Sequence, residues 1–280
     1  MNARAQSYLN LLLILKQLTL VFIGFPAFLL ALHGCAANPS GAIGNSTEPL
    51  TASDEPESRK RARIRMELAS GYFEQGQTNV ALDELKQVLS IDPNFPDAYN
   101  LRGLIYLRLA DMRLADESFR KALAINPREP STLHNYGWML CQQARFADAD
   151  AYFGQALASP LYGGQAKTWL TRGLCQMRAG QNEAAERSLS RSLEIDAGNP
   201  ITGYNLSLLL FQRNELTRAQ FYIRRINNSE LANAETLWLG VKVERKMQNT
   251  AAVNQLTEQL KKRFPNSKEL TSLERGAFDE

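Results

Sequence analysis

The sequence has few of the side chains that most often carry chemistry. Its 280 residues include only three cysteines and two histidines. His134, Cys141 and Cys175 could be considered as zinc ligands, but their spacing fits no metal-ligand pattern. There is no phosphate-binding loop of the Gly-Lys-Ser type, and no nucleophile motif lies near His134. These absences argue against an enzyme, a metal site, a cofactor and a small-molecule substrate.

Acidic residues are missing from the amino-terminal end of the chain. None occurs before Glu48, whereas Arg4 and Lys16 precede a run at 18–32 in which nearly every residue is apolar or small. A helix that spans a membrane needs about 20 apolar residues, so this shorter run is typical of a secretory signal. An uncleaved anchor helix, or a cytosolic protein with an unusual start, is the alternative.

The run ends in Leu32-His33-Gly34-Cys35, which resembles the lipobox of bacterial lipoproteins. Gly34 is small enough to admit the signal peptidase, and the Cys35 thiol would accept diacylglycerol. Ala36, rather than aspartate, implies sorting to the outer membrane. We therefore expect residues 1–34 to be a signal peptide and Cys35 to carry a lipid that anchors the protein to the periplasmic face of the outer membrane.

A polar stretch follows the expected lipidation site. Residues 35–58 are rich in proline, glycine, serine and threonine, so they cannot bury enough surface to offset the entropy of ordering and predict a flexible tether. The five basic residues from Arg59 to Arg65 could contact anionic lipid head groups or form a solvated first helical turn. Without residues 1–34, 30 basic and 29 acidic residues remain, and this balance predicts no nucleic-acid binding.

A regular repeat organises the rest of the chain. Ala81, Ala115 and Ala149 are evenly spaced, and the same interval separates Gly103 from Gly137. The interval and these small residues match the tetratricopeptide (TPR) repeat, a helical hairpin that must stack on its neighbours to bury its apolar face. The predicted fold is an all-α TPR superhelix, or α-solenoid, of about six hairpins. The predicted repeats span 62–95, 96–129, 130–163, 166–199, 200–232 and 233–266, within a domain of residues 59–270 that precedes a tail of residues 271–280.

The third and fourth repeats are separated by an irregular joint. Two residues are inserted around Leu161–Gln165, and we expect this insertion to interrupt the regular superhelix. Cys141 and Cys175 lie on helical, apolar stretches of these repeats. An oxidising periplasm would permit a disulfide between them. We expect them instead to be two small, unpaired core residues.

The concave groove of a TPR array is the candidate binding site. It is lined mainly by the first helix of each hairpin, and its predicted lining is markedly apolar, as at sites of protein interaction. Coverage by neighbouring turns, or a register shifted by one residue, is the alternative. Asn100 and Leu104 stand where TPR domains that capture a terminal carboxylate have lysine and asparagine, so we expect no such capture. The candidate groove residues are Asn100, Leu104, Leu107, His134, Trp138, Cys141, Leu170, Leu174, Met177, Tyr204, Leu208 and Phe211.

The lipobox, the tether and the six repeats together resemble the type IV pilus biogenesis and stability lipoproteins of the PilF/PilW type. The segments at 135–137, 161–162 and 259–267 carry the resemblance most specifically, and it covers about residues 60–270. It implies a pilotin, a scaffold that helps the pilus secretin reach the outer membrane and assemble into multimers. The implied partners are the secretin, other pilus assembly proteins and outer-membrane lipid. A general periplasmic TPR adaptor for peptidoglycan enzymes or outer-membrane protein assembly is the alternative, and a cytosolic co-chaperone is a third.

Overall fold

The computed structural model describes residues 56–278, so the predicted signal peptide, Cys35 and most of the predicted tether lie outside it. These residues form thirteen α-helices and no β-strand. The helices are α1 (Glu57–Glu74), α2 (Thr78–Ile91), α3 (Pro96–Arg108), α4 (Met112–Ile125), α5 (Pro130–Gln142), α6 (Phe146–Leu157), α7 (Gln165–Arg178), α8 (Asn182–Ile195), α9 (Pro200–Gln212), α10 (Leu216–Asn227), α11 (Ala234–Lys246), α12 (Thr250–Arg263) and α13 (Lys268–Glu274).

The helices pair in chain order into six hairpins, from α1–α2 to α11–α12, which confirms the predicted all-α solenoid. Each hairpin packs on the next, and α13 packs against α11 at the carboxyl-terminal end. Helical structure begins at Glu57, inside the stretch predicted as tether, and α13 extends into the stretch predicted as tail. Among residues 56–278, no helix has both the length and the hydropathy needed to cross a membrane.

Small residues set the distance between the two helices of a hairpin. A Cβ placed on Gly103 would lie 2.6 Å from the ring of Phe119, and one on Gly173 would lie 2.8 Å from Leu189. Ser207 occupies the equivalent position in the fifth hairpin and is fully buried. Its hydroxyl donates a hydrogen bond of 2.9 Å to the carbonyl of Ala219 in the facing helix, which satisfies the one polar group that replaces glycine.

The turn inside every hairpin contains one residue with a left-handed backbone. These residues are Gly76, Ala110, Ala144, Gly180, Asn214 and Gln248. Their spacing equals the repeat interval throughout, except that the insertion lengthens it between Ala144 and Gly180. At Ala144 the neighbouring amides complete the turn, because Ala144 N donates to Cys141 O and Arg145 N donates to Leu140 O, at 3.0 and 2.9 Å.

Replacing Ala144 by glycine should stabilise the protein. The φ of Ala144 is +58°, where a Cβ costs about 1–2 kcal/mol, and the greater freedom of glycine in the unfolded chain offsets only part of that. We expect a net gain of about 0.5–1 kcal/mol in the free energy of unfolding, measured by urea denaturation. The matched control, Ala151→Gly on the exposed side of α6, should lose about 1 kcal/mol. A loss in both variants would contradict the prediction.

The expectation of two unpaired cysteines is wrong. Cys141 and Cys175 form a disulfide between α5 and α7, with Cα atoms 5.9 Å apart. Both residues are buried, as expected of core positions. An apolar helical context is common to a free core thiol and a core disulfide. The two cases differ only in whether the cysteines of neighbouring hairpins meet. That contact depends on the tertiary packing, which the sequence pattern does not show.

The insertion between the third and fourth hairpins is packed into the array. Half-buried Tyr162 folds over Gly164, where a Cβ would lie 2.5 Å from its ring. The Thr168 hydroxyl donates to the Tyr162 hydroxyl at 3.2 Å. These contacts fix the insertion on α7, and the disulfide and the contact between His134 and Thr168 join the fourth hairpin to the third.

The last full hairpin is fixed by a buried carboxylate. The side chain of Glu244 on α11 is only 1% exposed. It accepts hydrogen bonds from Gln220 and Arg224 on α10, and from Asn249 before α12, at 2.9, 2.7 and 2.9 Å. Buried charges are tolerated when they are paired in this way, and here the pairing joins three consecutive helices.

Candidate partner-binding groove

The first helices of successive hairpins are in contact along the array. Residues at equivalent repeat positions on these helices therefore form columns across the groove. One column contains Asn100, His134, Leu170 and Tyr204. The second contains Leu104, Trp138, Leu174 and Leu208. The third contains Leu107, Cys141, Met177 and Phe211.

Nine of the twelve predicted groove residues are partly exposed, which is compatible with a binding surface. They are Asn100, Leu104, Leu107, Trp138, Leu174, Met177, Tyr204, Leu208 and Phe211. The Asn100 side chain is held within the array, because its Oδ1 accepts a hydrogen bond of 3.1 Å from Asn135 of the next hairpin. The other eight are apolar or aromatic, so a partner would meet a mainly hydrophobic surface.

The other three predicted groove residues are wrongly placed, because they belong to the core. His134 is 5% exposed, Cys141 is fully buried in the disulfide, and Leu170 is 9% exposed. All three lie on the third or fourth hairpin. His134 and Cys141 are buried where the third hairpin meets the fourth, through the contact with Thr168 and the disulfide. Leu170 instead belongs to a buried cluster with Leu189 and Leu206 of the fourth and fifth hairpins. The repeat register alone could not reveal these contacts.

His134 instead forms a polar link inside the joint. Its Nδ1 lies 2.8 Å from the hydroxyl of Thr168 on α7, and its ring packs on Phe153 with centroids 5.9 Å apart. Burial, helped by the nearby positive charge of Lys167, lowers the pKa of His134 to about 4. The imidazole is therefore neutral at physiological pH. Among residues 56–278, no group of three histidine, cysteine or acidic side chains could hold a metal ion.

The groove columns continue into α11 with residues that are not among the predicted ones. Trp238, Lys242 and Arg245 stand one repeat after Tyr204, Leu208 and Phe211, respectively. Lys242 and Arg245 are at least partly exposed, whereas Trp238 is 8% exposed and is a core residue, as Leu170 is. The same spacing that defines the other columns would have identified them. Tyr204, Leu208 and Trp238, with residues of α13, line a cavity of about 400 Å³. The groove thus ends in a pocket, and its third column changes there from apolar to basic.

The basic run at Arg59–Arg65 is largely neutralised within the domain. Arg59 pairs with Asp92, and Arg65 pairs with Glu84, both on other parts of the first hairpin. Lys60 and Arg63 pair with Glu57 and Glu67 on their own helix. These pairs favour a structural role for most of the run, and contact with lipid remains a prediction.

The helical hairpins, their regular spacing and the groove define a tetratricopeptide-repeat protein. Models of the TPR repeat match residues 70–109, 96–129 and 140–200. The crystal structure of PilW, a widely conserved type IV pilus biogenesis factor, aligns with a TM-score of 0.70 and 32% identity over 76% of this chain and 98% of PilW. The chain belongs to the PilF/PilW family of type IV pilus TPR proteins.

A second relative agrees with this assignment. The type IV pilus assembly protein PilF of Pseudomonas aeruginosa is 28% identical over 244 residues, which is 86% of this chain and 94% of PilF. A structure of Pseudomonas aeruginosa PilF aligns with a TM-score of 0.70 and 27% identity over 79% of this chain and all of that one. The likeness therefore covers nearly the whole of both relatives rather than one shared repeat.

Proposed function

We propose that this chain is an outer-membrane lipoprotein that acts as a pilotin in type IV pilus biogenesis. Its TPR groove would hold a segment of the pilus secretin and promote secretin localisation and multimerisation. The observation that carries the proposal is the likeness to PilW across nearly all of PilW. A non-enzymatic scaffold is the activity that fits a TPR array whose exposed groove is mainly apolar.

The anchor would supply the localisation. A lipid on Cys35 would confine the domain to the periplasmic face of the outer membrane, where the secretin assembles. Confinement raises the effective concentration of the groove near membrane-bound secretin subunits without any added contact. Labelling with radioactive palmitate tests this step, because a Cys35→Ser variant should lose the label and a cytosolic protein would never acquire it.

The groove would supply the affinity. Trp138, Leu174 and Tyr204 lie on three successive first helices and are partly exposed. Aromatic and aliphatic side chains in such a surface act as binding hot spots when a partner excludes water from them. An extended or helical secretin segment that crosses α5, α7 and α9 would bury all three.

The double variant Trp138→Asp with Tyr204→Asp should abolish secretin multimers in outer-membrane fractions and stop twitching motility. The reason is that two charges would be buried at the interface without partners. The matched control is Leu161→Asp with Phe221→Asp, which places the same charges on side chains that are 97% and 58% exposed outside the groove. Thermal melting followed by circular dichroism checks that both variant proteins fold. If the double groove variant has a lower melting temperature than the control, the single variant Tyr204→Asp is used in its place.

Multimers that persist in a folded groove variant would show that the groove is not the secretin contact. Deletion of the whole gene separates the proposal from a general periplasmic adaptor. Loss of secretin multimers supports the pilotin, whereas a change of cell shape with intact multimers supports an adaptor for peptidoglycan enzymes.

A further inference from the structure

One edge of the groove carries a regular series of positive charges. This edge is formed by the last residue of the first helix in each hairpin, next to the hairpin turn. We call these six residues the turn-side row: Glu74, Arg108, Gln142, Arg178, Gln212 and Lys246. All six are at least partly exposed. A cation therefore recurs in the second, fourth and sixth hairpins, glutamine stands between them, and the single acid lies at the amino-terminal end.

Two of the three cations are held against the groove itself. The guanidinium of Arg108 lies 3.8 Å from the ring centroid of Phe73, and the Lys246 Nζ lies 4.6 Å from that of Phe211. Phe73 stands one repeat before Leu107 and so extends the third groove column, to which Phe211 belongs. Arg108 also donates a hydrogen bond of 2.7 Å to the carbonyl of Phe73. An aromatic ring attracts a cation without neutralising it, so both charges stay at the groove surface.

The carboxylates of the domain do not neutralise this row. Elsewhere in the array, Arg172 and Arg224 each pair with a carboxylate at 2.7 Å. None of the three cations in the row forms an ion pair with any residue of 56–278. The helix dipole favours a cation at the last turn of a helix, but the two glutamines show that the position does not require one. Unpaired positive charges beside an apolar surface are complementary to a partner that has both acidic and apolar side chains.

The opposite edge of the groove has no such bias. Its residues lie three positions before those of the first groove column, and they are Asp97, Ser131, Lys167, Ile201 and Glu235. Two acids, one base and two uncharged residues give this edge no run of one sign. The acidic side chains of a partner therefore have one favourable edge, and this fixes how the partner lies across the groove.

We propose that the groove binds an extended partner segment whose apolar side chains enter the groove columns and whose acidic side chains contact Arg108, Arg178 and Lys246. Packed helices lie about 8–10 Å apart, so cations two hairpins apart are separated by about 16–20 Å. An extended chain rises about 3.3 Å per residue, so acids that recur at about every sixth residue match the row. This inference gives the chemistry of the segment captured in the proposed function and rests on that function.

The test measures the binding of labelled peptides to the full chain in detergent by fluorescence anisotropy. The acidic probe is Glu-Ser-Leu-Ser-Leu-Ser-Glu-Ser-Leu-Ser-Leu-Ser-Glu, with both ends blocked and an uncharged label. The neutral probe has glutamine in place of each glutamate, and the polar probe has serine in place of each leucine. We expect the acidic probe to bind at least fivefold more tightly than either of the others. Its advantage over the neutral probe should shrink as salt is added.

Replacing the three cations by glutamine gives the whole row the residue that it already has in the third and fifth hairpins. In this row variant, Arg108→Gln with Arg178→Gln and Lys246→Gln, the acidic and neutral probes should bind within twofold of each other. The matched control removes the same charge from exposed positions on the second helices of the same hairpins and should keep at least a threefold preference for the acidic probe. Its substitutions are Lys121→Gln, Arg187→Gln and Lys262→Gln.

Thermal melting checks that the variants fold. If the row variant melts below the control, Arg178→Gln alone takes its place and should at least halve the preference for the acidic probe. Three results would overturn the inference: no binding of the acidic probe, equal binding of the acidic and neutral probes by the wild type, or an undiminished preference in the folded variant.

Failure of this inference is distinguishable from failure of the pilotin proposal. Secretin multimers that depend on Trp138 and Tyr204 would stand even if the acidic and neutral probes bind equally. Selective binding of the acidic probe would stand even if a deletion strain assembles the secretin normally.

Discussion

Replacing Cys141 and Cys175 by serine should lower the free energy of unfolding by about 3–4 kcal/mol. The disulfide closes a loop between residues separated by 34 positions, and that closure removes conformations from the unfolded chain. The contribution is large for a protein of this kind, because each hairpin of a solenoid contacts only its neighbours. The bond adds a covalent constraint at the joint that also contains the inserted residues.

Urea denaturation of the purified protein measures this loss. The oxidised wild type treated with a reductant should lose about as much stability as the double serine variant, so the two samples check each other. Ser118→Ala, which changes a buried serine of α4 whose hydrogen bonds with Leu114 and Arg102 stay within the second hairpin, serves as a control for ordinary core substitution. A loss below about 1 kcal/mol in both disulfide-free samples would contradict the prediction.

Lowering the pH from about 6.5 to about 4 should cost up to about 3 kcal/mol of stability through His134 alone. The sign follows from the two pKa values. The folded pKa is about 4, whereas the unfolded pKa is near 6.5, so the unfolded chain binds the proton first. Stability from this group is fully present above pH 6.5 and is lost as the pH falls towards 4. The physical cause is the cost of charging an imidazole buried between α5 and α7.

The measurement is the difference between wild type and His134→Gln, each unfolded by urea at several pH values. Subtraction removes the carboxylates, which titrate in both proteins. Asp150 is one of these carboxylates. The hydrogen bond from Arg172 lowers the pKa of Asp150, so its contribution to stability is lost at a more acidic pH. Parallel pH profiles for the two proteins would show that His134 is not the group responsible.

The repeat architecture could be predicted from the sequence because its determinants are local and periodic. Gly103 and Ala115 sit where two helices touch, and Pro96 and Pro130 begin helices, so period and composition suffice. The columns of the groove followed from the same period. Applied once more, it would have added the at least partly exposed positions Lys242 and Arg245, together with Trp238, which is buried.

What the period could not predict depends on contacts between repeats. The pairing of Cys141 with Cys175 and the burial of His134 arise where one hairpin meets the next across an irregular insertion. The packing of Phe278 on Trp238 joins the last repeat to a residue beyond all the repeats. A repeat pattern describes what all contacts between neighbouring hairpins share. The disulfide, the buried histidine and the packing of Phe278 each occur at only one place in the array, so the pattern does not predict them.

The hydrogen bonds of Glu244 also bear on how such an array can gain or lose units. A chain shortened before α11 would leave Gln220 and Arg224 without their acceptor and would uncover Leu206 and Ile223, which pack with Leu239 and Val243. The terminal hairpin is thus not interchangeable with the internal ones. Engineering or evolution that changes the number of repeats would need to insert or delete them upstream of this carboxylate.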